Sequence, residues 1–297
     1  MASSQNVDLM GNVRALAEDA LPILMPGARV APDTDEVLIP VPGGRARVSL
    51  VPLLRLCLDQ PRQMWPDLLA DWVAGIRRQL PARVTPDELG PADVGQLRLR
   101  LTPAAATAEA NSYLAMPFGE HFTAAVVINR SDRLEMLTIA QAGQLGHEPV
   151  ELIRLAVRQT VQHELAALDV RDHAMPGGGS VRLLAADGNP FVTTALMSLK
   201  RFLPDAAEYG ALVAAPRYSA VLLHPVDAPV NDSAVALQRL AMSMFTAADD
   251  RCSDEIFWWH DGEFHPVRIA AGQAGGATQV RVPAALAAVV ERLDRDH

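Results

Sequence analysis

Apolar residues recur along the chain with two different periods, and the switches between those periods divide it into elements. Leu9, Val13, Leu16, Ala17, Ala20 and Leu24 share one face at helical spacing. This predicts an amphipathic first helix that Pro22 ends or bends. Two β-type runs, residues 36–41 and 45–49, flank Pro42-Gly43-Gly44 and predict a hairpin. A short helix follows near Leu53 to Leu58. In a stronger one, Trp65, Leu68, Leu69, Trp72, Val73, Ile76 and Leu80 fall on one face. The opening module therefore reads α-β-β-α-α, with Trp72, Ile76 and Leu80 expected against Leu38 or Val48.

Residues Pro81 to Pro91 hold three prolines and a glycine and read as a linker. Two domains are predicted, 1–85 and 92–297. In the second, Leu97, Leu99 and Leu101 alternate with Arg98 and Arg100, the pattern of a half-buried strand. Leu114-Ala115-Met116-Pro117 and Val213-Ala214-Ala215-Pro216 each open a strand, turn, strand, helix sequence, an internal repeat in outline. Between them Met175-Pro176-Gly177-Gly178-Gly179-Ser180 predicts a flexible break near 176–180. Asn189-Pro190 then supplies an N-cap and a first-turn proline for a helix through Leu199. A hairpin around Asp261-Gly262, a Gly-rich loop, a short strand and a helix from Pro283 close the chain. The fold class expected is α+β: the N-terminal module followed by antiparallel strands packed by helices.

Composition narrows the function classes. At 297 residues with 49% hydrophobic and 21% charged positions, the chain can build a sizeable core. A formal net charge of -9 repels phosphate backbones, which argues against nucleic acid as a partner. The N-terminus lacks the charged and apolar regions of a secretory signal, and no stretch reaches the length of a transmembrane helix. Two cysteines, Cys57 and Cys252, suit reduced thiols in a cytoplasmic protein rather than a disulfide or zinc framework.

Motifs for catalysis are incomplete. His163-Glu164 begins HExxH, but Ala167 stands where the second imidazole is required. Gly177-Gly178-Gly179-Ser180 lacks the lysine of a phosphate loop, and there is no GxSxG elbow. Cys57 lies in an apolar run, where a thiol is inert. The richest cluster is the late hairpin. A two-residue Asp261-Gly262 turn pairs 260 with 263, 259 with 264 and 258 with 265. Alternation then puts Phe257, Trp259, Phe264 and Pro266 on a core face. Trp258, His260, Glu263 and His265 fall on the opposite, surface face. Those four are candidates for a partner-contact patch or a metal site. On this reading Trp259→Ala lowers stability more than Trp258→Ala.

Several strings resemble the YtpQ-like proteins, a bacterial family of unknown function. They are residues 213–223 (VAAPRYSAVLL), the preceding helix from Asp187-Gly188 through Leu199, the 257–263 hairpin, and the N-terminal helix with a hairpin ending Arg47-Val48-Ser49-Leu50. The resemblance covers roughly residues 8 to 270 and involves core and turn positions. It implies a fold and a cytoplasmic bacterial setting, and no activity. Richness in Ala and Pro and scarcity of Lys and Tyr set the chain apart as a distant, high-GC relative.

Strong apolar periodicity without convergent polar chemistry favours a non-enzymatic interaction or adaptor protein. Its expected partner is another protein, with no membrane, cofactor or catalytic residue. The alternative is a hydrolase or transferase whose site is assembled from dispersed residues. A pocket lined by His, Asp and Arg would favour the alternative, and an apolar patch or extended groove the adaptor.

Overall fold

The computed structural model describes residues 2–296 except 33, 42–43, 59, 84–88, 107–111, 132, 176–178, 205–206, 227–229 and 271–278. The chain is α+β, as its periodicities predict. Helix α1 (Ala2–Leu24) runs through Pro22 and ends two residues later. Strand β1 (Arg29–Val30) joins β2 (Glu36–Val41) and β3 (Gly44–Ser49) in a three-stranded antiparallel sheet. Helices α2 (Val51–Leu58) and α3 (Trp65–Gln79) follow. Their apolar faces form one core with Val13, Leu21, Val37, Ile39 and Val48, in which Trp72 and Ile76 are buried and Leu80 is half-buried. Leu38 takes no part, because the alternation of β2 turns Val37 and Ile39 inward instead. Arg77 donates to the Leu24 carbonyl, tying α3 to the end of α1.

The stretch read as a linker begins as structure. Strand β4 (Pro81–Arg83) pairs in parallel with β8 (Leu134–Met136). Between them in sequence lie β5 (Leu97–Pro103), β6 (Ala115–Phe118) and β7 (Phe122–Asn129). In this second sheet β7 pairs with β5 on one side and with β6 and β8 on the other. Helix α4 (Ile139–Ala142), capped by the Thr138 hydroxyl, and α5 (Pro149–Gln159) come next.

Strand β5 has its open edge capped by hydroxyls. The last turn after α5 widens to a π-turn over Thr160–Glu164. There the buried Thr160 hydroxyl accepts the Leu99 N–H at 2.7 Å. From a 3-10 helix over Val192–Arg201, Thr193 and Thr194 donate to the carbonyls of Leu101 and Leu99, both at 2.9 Å. These bonds satisfy backbone groups that an edge strand otherwise leaves open.

The third sheet has seven antiparallel strands in the order β15-β14-β13-β11-β12-β10-β9. These are β9 (Asp169–Ala174), β10 (Ser180–Ala185), β11 (Ala211–Arg217), β12 (Ala220–Pro225), β13 (Ile256–His260), β14 (Glu263–Ala270) and β15 (Gln279–Arg281). The supposed break at 176–180 is the connection of the β9–β10 hairpin, and its residues 176–178 lie outside the described set. The helix expected from Asn189 is the 3-10 segment just described, with Asn189 capping the Phe191 N–H. One face of the large sheet packs on the second sheet through Phe118, Phe122, Phe257 and Phe264, whose rings meet at 5.3–6.1 Å. The other face is covered by α6 (Val230–Ala247) and α7 (Ala284–Asp296), so alternate residues of β11 and β13 enter different cores. Gly210, at φ +77°, lets the chain pass against β13, where an added Cβ would stand 2.1 Å from the Trp259 carbonyl oxygen.

Both stretches of the outlined repeat form a hairpin, β6–β7 and β11–β12, with a helix later in the chain. The two hairpins sit in sheets of different strand order.

Candidate binding cleft

The late hairpin has the register that its turn dictates. Asp261 at φ 49° and Gly262 at φ 88° form the connection. Trp258 faces His265, Trp259 faces Phe264, and His260 faces Glu263. The surface placement of Trp258 is nevertheless overturned. Trp258 is 2% exposed and its Nε1 donates to the Tyr209 carbonyl at 2.9 Å. It belongs to the core beneath α6 and α7, whereas Trp259 is only half-buried. The register follows the turn, but the face opposite Trp259 carries a second layer of helices instead of solvent. His260 stacks on the Trp258 ring at 4.9 Å and His265 tilts against it at 5.4 Å. Glu263 is exposed and stands 3.6 Å from His265 Nε2. The four residues thus adjoin, with the indole at the bottom and a carboxylate at the rim. Among the described residues, no group of three or more His, Cys, Asp or Glu could hold a metal ion.

Other sequence candidates are tied up in the fold. Glu164 accepts from Arg98 Nε at 2.6 Å and holds the π-turn to β5, while His163 is exposed beside it. Cys57 is fully buried in the N-terminal core, and burial pushes its thiol up. The Ser180 carbonyl accepts from His224 Nδ1 at 2.8 Å.

The sequence does not reveal the place where the N-terminal sheet, the end of α3, strand β5 and the β11–β12 turn converge. A cavity of about 460 Å³ opens there. Its walls are largely apolar, with Val48, Ile76, Leu80, Met136 and Phe245 among them. Four arginines (Arg45, Arg47, Arg100 and Arg251) and two aspartates (Asp249 and Asp250) supply its charge. Most of this polar chemistry is already paired. Arg251 ion-pairs with Glu36 of β2, linking the two units. Asp250 accepts from Arg217 Nε at 2.6 Å and from the Ser219 N–H at 2.9 Å. Cys252 is half-buried, and desolvation pushes its thiol up to about 12. Burial likewise raises the Tyr218 hydroxyl, with the neighbouring Arg100 opposing the shift.

Arg100 is the exception. It is 3% exposed, and among the described residues no carboxylate lies within ion-pair distance. Its guanidinium carbon sits 3.8 Å from the centre of the Tyr218 ring, and Nη1 donates to the Gln79 carbonyl at 3.1 Å. That carbonyl ends α3, whose C-terminal partial negative charge offsets part of the cation. The buried Nε has no acceptor among the described residues. By contrast, the fully buried Glu135 of β8 accepts from both Arg130 and Arg133 at 2.6 Å.

A second hollow of about 910 Å³ runs beside α6, walled by Leu183, Leu222, Leu240 and Met244, with His173, Asp232 and Arg239 also lining it, the His, Asp and Arg set that favours the enzyme alternative. No helix among the described residues is long and apolar enough to cross a membrane. No family model, curated protein or solved structure matches the chain.

Proposed function

We propose that this chain is a non-enzymatic interaction protein that binds its partner group in the cleft between the N-terminal unit and the two larger sheets. The observation behind this reading is Arg100, a buried guanidinium facing a mostly apolar cavity with no carboxylate of its own among the described residues. A structural arginine of this kind is usually paired, because an unpaired buried charge is costly. A site that leaves one unpaired is suited to receiving an acceptor from outside. A cytoplasmic bacterial setting and kinship with the YtpQ-like proteins fit this reading and belong to the same proposal.

Two observations favour the alternative, a hydrolase or transferase: the cleft gathers Cys252, Tyr218 and Asp250 beside Arg100, and His173, Asp232 and Arg239 line the hollow beside α6. Nucleophilic catalysis needs an activated thiolate and a base in reach. Here the thiol is pushed up to about 12, and Asp250 is engaged by Arg217. The binding reading therefore takes precedence.

An amphipathic anionic dye, anilinonaphthalene sulfonate, tests it. The dye should bind saturably at one site of the wild type, and an Ala46→Trp variant that fills the cleft wall should lose that binding. Dye binding that is absent, or that Ala46→Trp leaves unchanged, would contradict the proposal. A thiol in Cys252 that is alkylated at neutral pH faster than a free cysteine would revive the enzyme reading.

A further inference from the structure

We infer that the cleft recognises a carboxylate carried on an apolar body, and that Arg100 is the residue that pairs with it. This rests on the cleft being the binding site proposed above and goes further by naming the head group and its partner. One face of the Arg100 guanidinium is covered by Tyr218, and Nη1 is committed to Gln79. What remains is Nη2, which has no acceptor among the described residues, and beside it the buried Nε, which the surrounding side chains close off from the cavity. A carboxylate in the cleft can accept from Nη2, a charge-assisted hydrogen bond stronger than one between neutral groups. A planar carboxylate also fits between an aromatic-backed guanidinium and aliphatic walls, with Ile76, Leu80 and Met136 left to contact the rest of the ligand.

The charge around the opening points the same way. Arg45 and Arg47 are exposed on β3, and Arg47 stands 3.8 Å from the Glu36 carboxylate. Glu36 is itself held by Arg251. Asp249 also lines the cleft, with the opposite charge. In a chain of net charge -9, this is a local reversal of sign that draws anions toward a buried cation. The wall composition excludes a bare inorganic anion as the best occupant, because such an ion leaves the apolar surface unfilled. A cavity of about 460 Å³ lies within the range of roughly 300–1,000 Å³ typical of sites for small organic ligands.

Calorimetric titration of the full chain with four probes tests the inference: decanoate, decanol, inorganic phosphate, and a short apolar peptide with either a free or an amidated carboxyl terminus. Decanoate should bind and phosphate should not. Arg100→Gln should weaken decanoate by about tenfold or more, the loss expected for a hydrogen bond to a charged group. Arg45→Gln should weaken it less and reduce its dependence on salt. If the free-terminus peptide binds through Arg100 as well as decanoate does, the source is a polypeptide terminus; if only decanoate binds, it is a small acid. Either result supports the carboxylate. Decanol binding as tightly as decanoate and blocked by Ala46→Trp would overturn the carboxylate while leaving the cleft reading intact. Decanoate binding that Arg100→Gln leaves unchanged would overturn it too. Decanoate failing to bind a protein that still takes up the anionic dye would separate the failure of this inference from failure of the site. A folded Arg100→Gln protein is confirmed by its circular dichroism and melting transition, and Arg100→Lys serves as a second variant with the charge kept and the fork removed.

Discussion

Strand β5 and the β13–β14 hairpin pose the same question and answer it differently. In each, a row of polar or amphipathic side chains alternates with a row of apolar ones, and the alternation suggests one buried face and one wet face. In each, the second face is covered as well. Under the hairpin the cover is α6 and α7, and the residue enclosed is Trp258, whose indole N–H finds the Tyr209 carbonyl. Under β5 the cover comes from the α5 π-turn and the end of α3, and the residues enclosed are Arg98 and Arg100. Arg98 meets Glu164; Arg100 meets no carboxylate among the described residues. An enclosed indole strengthens a core. An enclosed cation without a counter-charge weakens one, and its retention needs a different explanation.

The largest effect expected is at the hairpin. Trp258→Ala should destabilise by about 3–5 kcal/mol, the range for removing a large aromatic from a packed interior. Trp259→Ala should cost clearly less, since its ring is only half-buried. Paired denaturant unfolding curves measure both. Equal losses, or a larger one for Trp259, would return the hairpin to a single-faced core and break the comparison at its first term.

What the sequence shows of all this follows the range of each interaction. The Asp261-Gly262 turn sets the register of β13 on β14 within ten residues, so the pairing of Trp258 with His265 is legible. The helix that covers Trp258 begins at Val230 and the other at Ala284, and nothing near residues 256–265 records their presence. His260, Glu263 and His265 look like solvated positions because the cover stops short of them, and that polarity misplaces the neighbouring indole. The N-terminal module is legible for the converse reason: its strands and helices lie within eighty residues and their apolar stripes face one another. The cleft is the least legible feature. Its lining comes from β3, α3, β5, β8 and the β11–β12 turn, and only the fold brings Gln79, Arg100 and Tyr218 together. The local signal is a pair of arginines, Arg98 and Arg100, in a strand of leucines, which the alternation places on a wet face.

A smaller effect concerns the floor of the cleft. Burial raises the Cys252 thiol from its ordinary value to about 12, so below about pH 9 the thiol is neutral in both the folded and unfolded chain. Above that pH the unfolded thiol ionises first, and stability is lost as pH rises toward 12. The slope from this one group is at most about 1.4 kcal/mol per pH unit. Cys252→Ala should therefore lose less stability than wild type between pH 9 and 10, as read from paired urea titrations. Parallel pH profiles would mean that the thiol is open to solvent and that the cleft is wetter than described.

The smallest effect is at the open edge of the large sheet. Arg182 of β10 grips Asp172 of β9 through two bonds of 2.8 Å, and these bonds hold the carboxyl below its ordinary range. The stabilisation is present above the unfolded carboxyl value of about 3.9 and is lost as pH falls below it. The pair is exposed, so Asp172→Asn should cost under about 1 kcal/mol at neutral pH and nothing in strong acid. A loss that persists unchanged in strong acid would assign the contact to packing instead of charge.

The central claim is that Arg98 serves the fold and Arg100 serves a ligand. Unfolding free energies of Arg98→Met and Arg100→Met, measured side by side without ligand, test it most directly. Arg98→Met leaves Glu164 facing a covered surface without its partner and should lose about 2 kcal/mol or more. Arg100→Met removes a buried cation that lacks a carboxylate among the described residues, keeps the aliphatic stem, and should be neutral or more stable than wild type. If Arg100→Met loses as much stability as Arg98→Met, Arg100 is a structural residue like its neighbour, and the case for a ligand in the cleft falls with it.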